Sequence, residues 1–150
     1  MIPDKQEIDL NYIYAEAWNT LDASLIIPYL ADDVLYTSQN VFSSLKGREE
    51  VAHYLLGKME TILNSSDRSV KAEMGFCGSQ EGYRVMVWAA WENRPCVILY
   101  QGSAIEPIAL VILETKNNLI QEIGICTVVP HPSTASKTGI FPGRVSDEGN

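Results

Sequence analysis

Positive charge is scarce in this sequence. Eleven Lys and Arg stand against 19 Asp and Glu, for a net charge of -8, and no basic cluster occurs anywhere. Binding to a phosphate backbone depends on concentrated positive charge, so a nucleic-acid partner is excluded. Long apolar runs are missing too: none approaches the roughly 20 residues that cross a bilayer, so no membrane partner is expected. The opening MIPDKQEIDL lacks the apolar stretch of a secretion signal, so the expected location is cytosolic. There are two histidines, His53 and His131, far apart in sequence, and the cysteines are scattered. That leaves no metal-ligand spacing, and no metal is expected. Cys77, Cys96 and Cys126 are odd in number and lie in apolar runs, which reads as buried reduced thiols rather than a disulfide framework. No GxGxxG or other cofactor motif is present, so no cofactor is implied. The GFCGS stretch at Gly75–Ser79 lacks the second glycine at the required offset and the strand-to-helix context of a nucleophile elbow.

What is present is apolar side chains in quantity. At 150 residues and 46% apolar, the chain suits one globular domain, able to bury about 68–70% of its unfolded surface. We place the domain at residues 1–129. Beyond it, residues 130–150 have loop composition and no period, and Ile140-Phe141 is the single candidate anchor.

Leu10, Ile13, Tyr14, Ala17, Trp18 and Leu21 recur at helical spacing, which predicts an amphipathic helix over about 6–21. Asp22 then caps a second helix over about 23–31, kept short by Pro28. Val34, Tyr36 and Ser38 alternate as one face of a strand. A third helix starts at Gly47, carries Glu49 and Glu50 in its first turn where the dipole favours negative charge, and runs to about Asn64. Strand-like runs follow at about 69–78, 83–92, 96–102, 107–115 and 119–129, with Asn117-Asn118 as a tight hairpin. Helices followed by a strand meander give an α+β class. The late strands, as in VMVWAAW, CVILY and IALVIL, are apolar on both faces. Helices can cover only one of those faces, so the expected partner for the other is a second copy, in a homodimer.

This order of elements, together with Ala31-Asp32-Asp33, the strand after it and Gly47-Arg48-Glu49, resembles the nuclear transport factor two-like superfamily, most closely over residues 10–58. Its members include ketosteroid isomerases and SnoaL-like polyketide cyclases. The resemblance implies a cystatin-like fold: a cone-shaped, curved antiparallel sheet wrapped around three N-terminal helices, with an apolar pocket. It places the isomerase oxyanion tyrosine on Tyr14, the strand base on Ser38, the second acid on Leu110 and the supporting tyrosine on Leu55. An unassisted serine hydroxyl is too weak a base to take a proton next to a carbonyl. The isomerase acids are therefore absent.

The implied pocket draws on Tyr14, Trp18, Tyr36, Ser38, Tyr54, Val87, Ile98, Tyr100, Leu110, Ile112, Ile123 and Ile125, with Trp91 and Thr127 nearer its mouth. An aromatic, apolar lining with a few hydroxyls suits a small, flat hydrophobic ligand. Three functions stay open: such a binding protein, an isomerase, cyclase or dehydratase using another acid/base pair, and a structural dimerisation module whose pocket is self-filled. For catalysis the weak candidates are Tyr14 and Glu114, which shares the parity of Leu110 and Ile112. Glu114 also sits two residues before a turn, where a solvated strand end is an ordinary outcome.

Overall fold

A computed structural model of the chain describes residues 5–39, 43–66, 69–77, 94–102, 106–128 and 131–144. The N-terminal helix α1 spans Lys5–Thr20, and its buried stripe of Leu10, Tyr14, Ala17 and Trp18 follows the spacing seen in the sequence. Leu21 stops it by taking a positive φ of 53°, letting the Asp22 N–H reach back to the Ala17 carbonyl at 2.9 Å. The expected second helix is two short 3-10 turns, Ala23–Leu25 and Ile27–Tyr29, with Asp22 capping the first and Pro28 opening the second. Strands β1 (Leu30–Ser38) and β2 (Leu45–Lys46) lead to α2 (Arg48–Leu63), which buries Val51, Leu55 and Met59. The rest of the described chain is β3 (Val70–Phe76), β4 (Pro95–Gln101), β5 (Ala109–Lys116), β6 (Leu119–Cys126) and β7 (Ser136–Lys137), with a 3-10 turn at Pro132–Thr134. The expected strand over 83–92, with Val87 and Trp91, lies outside the described residues.

The strands form one sheet in the order β2-β1-β6-β5-β4-β3-β7. It is mixed rather than wholly antiparallel, because β1 runs parallel to β6, with Tyr36 beside Ile123 and Ser38 beside Ile125. Asn117 and Asn118 turn β5 into β6 with φ of 55° and 64°, the left-handed pair that a two-residue hairpin favours. Gly47, at φ 93°, donates its N–H to the Val34 carbonyl at 2.8 Å. The two halves of the Ala-Asp-Asp and Gly-Arg-Glu signature are thus stitched together where β1 passes the start of α2.

Register decides which face each apolar residue occupies. Val97 pairs with Val111, Val111 with Ile125, and Leu113 with Ile123. These residues pack with α1, α2, Val34 and Tyr36 in the main core, where full burial stabilises a Val- or Leu-sized side chain by about 1.5–3 kcal/mol. Ile98, Tyr100, Leu110 and Ile112 therefore point the other way. They join Cys77, Cys96 and Cys126 in a second apolar cluster on the far face of the sheet. This corrects the expectation that those four share a pocket with Tyr14 and Tyr36: strands apolar on both faces carry no alternation from which parity can be read.

The segment after β6 is a strap laid over the free edge of β3. Besides the β7 pairing of Lys137 with Gly75 and Ser136 with Phe76, Met74 donates its N–H to the Ile140 carbonyl at 2.9 Å. Gly139 N–H donates to the Glu73 carboxylate at 2.7 Å. The Phe141 ring packs on the far-face cluster, 6.4 Å from Tyr100 between centroids. Ile140 uses only its backbone and is 52% exposed. Beyond Phe141, the Pro142 carbonyl accepts from Asn19 of α1 at 2.7 Å.

Candidate functional site

Between α1, α2 and β1 the chain gathers Tyr14, Trp18, Tyr36 and Tyr54. Tyr14 and Trp18 share a helix face by their four-residue spacing, Tyr36 follows from strand alternation after Val34, and Tyr54 projects from α2 next to Leu55. The rings of Tyr36 and Tyr54 lie 5.0 Å apart, tilted by 52°. Tyr14, Trp18 and Tyr36 are only 1%, 6% and 9% exposed. Burial lifts the Tyr14 hydroxyl well above the usual phenol range, offset in part by the facing Trp18 indole N–H. Tyr36 is lifted further, by burial first and then by the neighbouring hydroxyls of Tyr14 and Tyr54. The Tyr14 and Tyr36 hydroxyls keep their protons at neutral pH; they can donate a hydrogen bond but cannot serve as bases.

Two buried polar atoms on α1 go unpaired among the described residues. Trp18 Nε1–H faces Tyr14 without an aligned hydrogen bond, and Asn11 Oδ1 has no donor, although Asn11 Nδ2 donates to the Glu7 carbonyl at 2.7 Å. Asn11 escaped the sequence reading, yet it stands three residues before Tyr14 and seven before Trp18, on their stripe.

A base is the missing ingredient. Ser38 lies at the half-buried end of β1, on the Tyr36 side by alternation. Among the described residues the buried polar or charged side chains are Asn11 and Glu73 alone, and Glu73 lies on the far face, held by the Tyr100 hydroxyl at 2.6 Å. Leu55 is core. Leu110, taken as the position of the second isomerase acid, faces away from Tyr14, and its helix-facing neighbour on β5 is the equally apolar Val111. Glu114 shares Leu110's parity. It is 51% exposed and ion-paired with Arg94 at 3.0 Å, while Arg94 also binds Glu7 at 2.8 Å. Tyr14 and Glu114 therefore stand on opposite sides of the sheet and cannot act on one substrate. Ile123 lies in the main core and Ile125 packs against it; Thr127 follows β6, where its backbone N–H and that of Val128 donate to Gln39.

Two surface hollows lie elsewhere. A depression of about 1000 Å³ at the start of α2 is lined by the exposed charged side chains Asp32, Lys46, Arg48, Glu49 and Glu50 together with Ile27, Ala52, His53 and Leu56, and opens to solvent. A recess of about 270 Å³ lies among Thr37, Ile112, Glu114, Glu122, Gly124 and Cys126, and Ser38, Gln39 and Ile125 also line it, so four of the expected site and catalytic residues, Ser38, Ile112, Glu114 and Ile125, meet there. Neither adjoins Tyr14 or Trp18. The three cysteines, distant in sequence, share the far-face cluster; the Cys96 thiol hydrogen-bonds to Cys77 and holds it below the usual thiol range against the effect of burial. Among the described residues no group of His, Cys, Asp and Glu could hold a metal ion, and no helix is long and apolar enough to cross a membrane.

No protein-family model matches the sequence and no curated protein is similar to it. Solved structures do match. An NTF-2 like protein of unknown function from Burkholderia xenovorans LB400 superposes with a TM-score of 0.53 at 8% identity, covering 95% of this chain and 87% of its own. A SnoaL-like protein of unknown function from Burkholderia thailandensis E264 gives 0.53 at 14%, covering 89% and 95%. An uncharacterised bacterial protein with a cystatin-like fold, from Silicibacter pomeroyi DSS-3, gives 0.54 at 14%, covering 81% and 75%. The fold is nuclear transport factor two-like. In this α+β, NTF2-like architecture the cluster around Tyr14 occupies the space between helices and curved sheet, and the likeness at such low identity speaks to that architecture alone.

Proposed function

We propose that the chain is an NTF2-like binding protein for a small hydrophobic ligand, taken up against Tyr14, Trp18, Tyr36 and Tyr54, and that it is not a ketosteroid isomerase. The observation that carries this reading is the pair of unpaired buried atoms, Trp18 Nε1–H and Asn11 Oδ1, on the helix stripe that fronts the aromatic cluster. Leaving a buried donor or acceptor unmade costs about 1–3 kcal/mol, so each is a standing demand for a partner. A flat apolar molecule with a hydroxyl or carbonyl would satisfy the indole and bury its rings against the tyrosines.

Titration with an uncharged naphthol, followed by tryptophan fluorescence, tests the proposal. Saturable one-to-one binding that weakens in Trp18→Phe and Tyr14→Phe supports it. A flat response up to the probe's solubility limit favours the second reading, a structural module whose interior is filled by its own aromatics, as the near-complete burial of Tyr14 suggests.

Ser38→Asp tests the lost base. The substitution sets a carboxyl group beside apolar neighbours, at an expected cost of about 1–3 kcal/mol. Its pKa should be raised, and the cost should shrink as pH falls and the carboxyl is neutralised. The wild-type chain should not isomerise a β,γ-unsaturated ketosteroid above background, and Ser38→Asp should do so weakly at most. Robust wild-type turnover would mean that a base outside this cluster has been overlooked.

A further inference from the structure

The two unpaired atoms on α1 call for opposite partners. Trp18 Nε1–H can only donate and Asn11 Oδ1 can only accept, and both are buried with no partner among the described residues. The Asn11 amide is held in one orientation, because its Nδ2 donates to the Glu7 carbonyl at 2.7 Å; turned over, it would set oxygen against oxygen. The pair cannot satisfy each other. Asn11 leans back one turn onto Glu7 and Trp18 one turn towards Tyr14, so the seven residues between them keep the two atoms about 10 Å apart along the helix axis. Tyr14 lies between them on the same stripe, in the middle of the aromatic cluster. Nor does another buried polar side chain come to either atom. Glu73, the remaining one among the described residues, is on the far face, and its two carboxylate oxygens accept from the Tyr100 hydroxyl and the Gly139 N–H. The helix itself has no need of an amide at position 11, since the Glu7 carbonyl already accepts from the backbone N–H of that residue.

We propose that Asn11 sets the specificity of the aromatic cluster: the ligand is a flat, uncharged molecule with a hydroxyl or N–H at one end, donated to Asn11 Oδ1, and an ether or carbonyl oxygen at the other, which accepts from Trp18, its rings lying along Tyr14. This rests on the binding reading above and goes beyond it, because that reading asks only for a group that meets the indole. A molecule with acceptors at both ends would turn a lone pair on Asn11 Oδ1 and be discriminated against, as a buried polar atom left unpaired in the complex keeps its desolvation penalty. Charged ends are disfavoured as well, since no buried charged side chain among the described residues lies on this side of the sheet to pair with them.

Equilibrium dialysis of two naphthalenes that differ by one hydroxyl makes the test. 2-Methoxynaphthalene offers an acceptor alone, and 6-methoxy-2-naphthol adds a donor at the opposite end. The wild-type chain should bind the second at least about tenfold more tightly. Asn11→Leu should bind both alike, near the wild-type affinity for 2-methoxynaphthalene, while Trp18→Phe should weaken both and keep their ratio. If 2-methoxynaphthalene binds in a Trp18-dependent way and the hydroxyl adds nothing, the binding reading stands and the role of Asn11 falls. If neither naphthalene binds, both fall together. A ligand-free measurement bears on the same point. Asn11→Leu removes an unmet acceptor and leaves the Glu7 carbonyl its helical partner, so the variant should melt at a higher temperature than wild type. A lower melting temperature would overturn the proposal, because it would make Asn11 part of the fold, paired through a bound water rather than kept for a ligand.

Discussion

At pH 11 the protein is expected to be about 3 kcal/mol less stable than at pH 9 through two side chains, Tyr14 and Tyr36. Both hydroxyls are lifted by burial above the usual phenol range in the folded chain, whereas in the unfolded chain they ionise near pH 10. A raised pKa of this kind lends stability that is complete below the unfolded value and is lost as pH rises through the folded one. One unit above the unfolded value each contributes a loss of about 1.4 kcal/mol, and exposed tyrosines cancel between the two states. Urea unfolding at pH 9, 10 and 11 checks this. Tyr14→Phe and Tyr36→Phe should each remove about 1.4 kcal/mol of the alkaline fall, while buried Tyr100 and the Cys96 and Cys126 thiols, raised in the same direction, add to it in wild type and variants alike. Should neither alter it, solvent reaches the hydroxyls, and the aromatic interior is wetter than its burial implies.

Asn19→Ala should cost about 2–5 kcal/mol, from three backbone groups that lose their Asn19 partner. Asn19 behaves like a piece of strand inserted from α1. Its Oδ1 accepts from the Ala72 N–H at 2.7 Å, and its Nδ2 donates both to the Ala72 carbonyl at 2.8 Å and to the Pro142 carbonyl at 2.7 Å. One amide thus ties helix, edge strand and strap together. Asn19→Asp separates the roles: it keeps the acceptor for Ala72 N–H but turns a carboxylate oxygen towards two carbonyls, so it should be nearly as damaging. Thermal unfolding of both variants, with proteolysis of the strap as a second readout, decides it. A cost below about 1 kcal/mol would rank Asn19 with ordinary surface positions.

Periodicity made the helical half of this fold legible. The spacing of Leu10, Tyr14 and Trp18 placed α1, and Asn117-Asn118 marked the β5–β6 hairpin because two left-handed residues in succession call for such a pair. The strands of the second half hid their orientation. From Cys96 to Tyr100 in β4 and from Ala109 to Leu113 in β5 every position is apolar, so face assignment came only from cross-strand register, and Ile98 and Leu110 moved to the far side with Tyr100 and Ile112. Composition misled at the strap: Ser, Thr, Gly and Pro read as loop, while its grip lies in backbone hydrogen bonds to β3, which no side-chain pattern records. Glu73 sits in an apolar run, and its one sequence-distant N–H partner, Gly139, carries no signal in the chain before folding. Of the candidate site, the aromatic members were legible from helix and strand spacing; the unpaired Asn11 oxygen was not.

The parallel pairing of β1 with β6 joins the earliest strand of the sheet to the last long one. During synthesis β1 leaves the ribosome well before its parallel neighbour exists, and until then its main-chain groups have only the two residues of β2 to pair with. Closure of so long a loop is entropically demanding and slow. The nascent chain must therefore shelter Val34 and Tyr36 beneath α1 and α2 while the sheet waits for β6. Asp32 and Asp33, both exposed on that same strand, place charge where an unpaired apolar strand would otherwise invite aggregation.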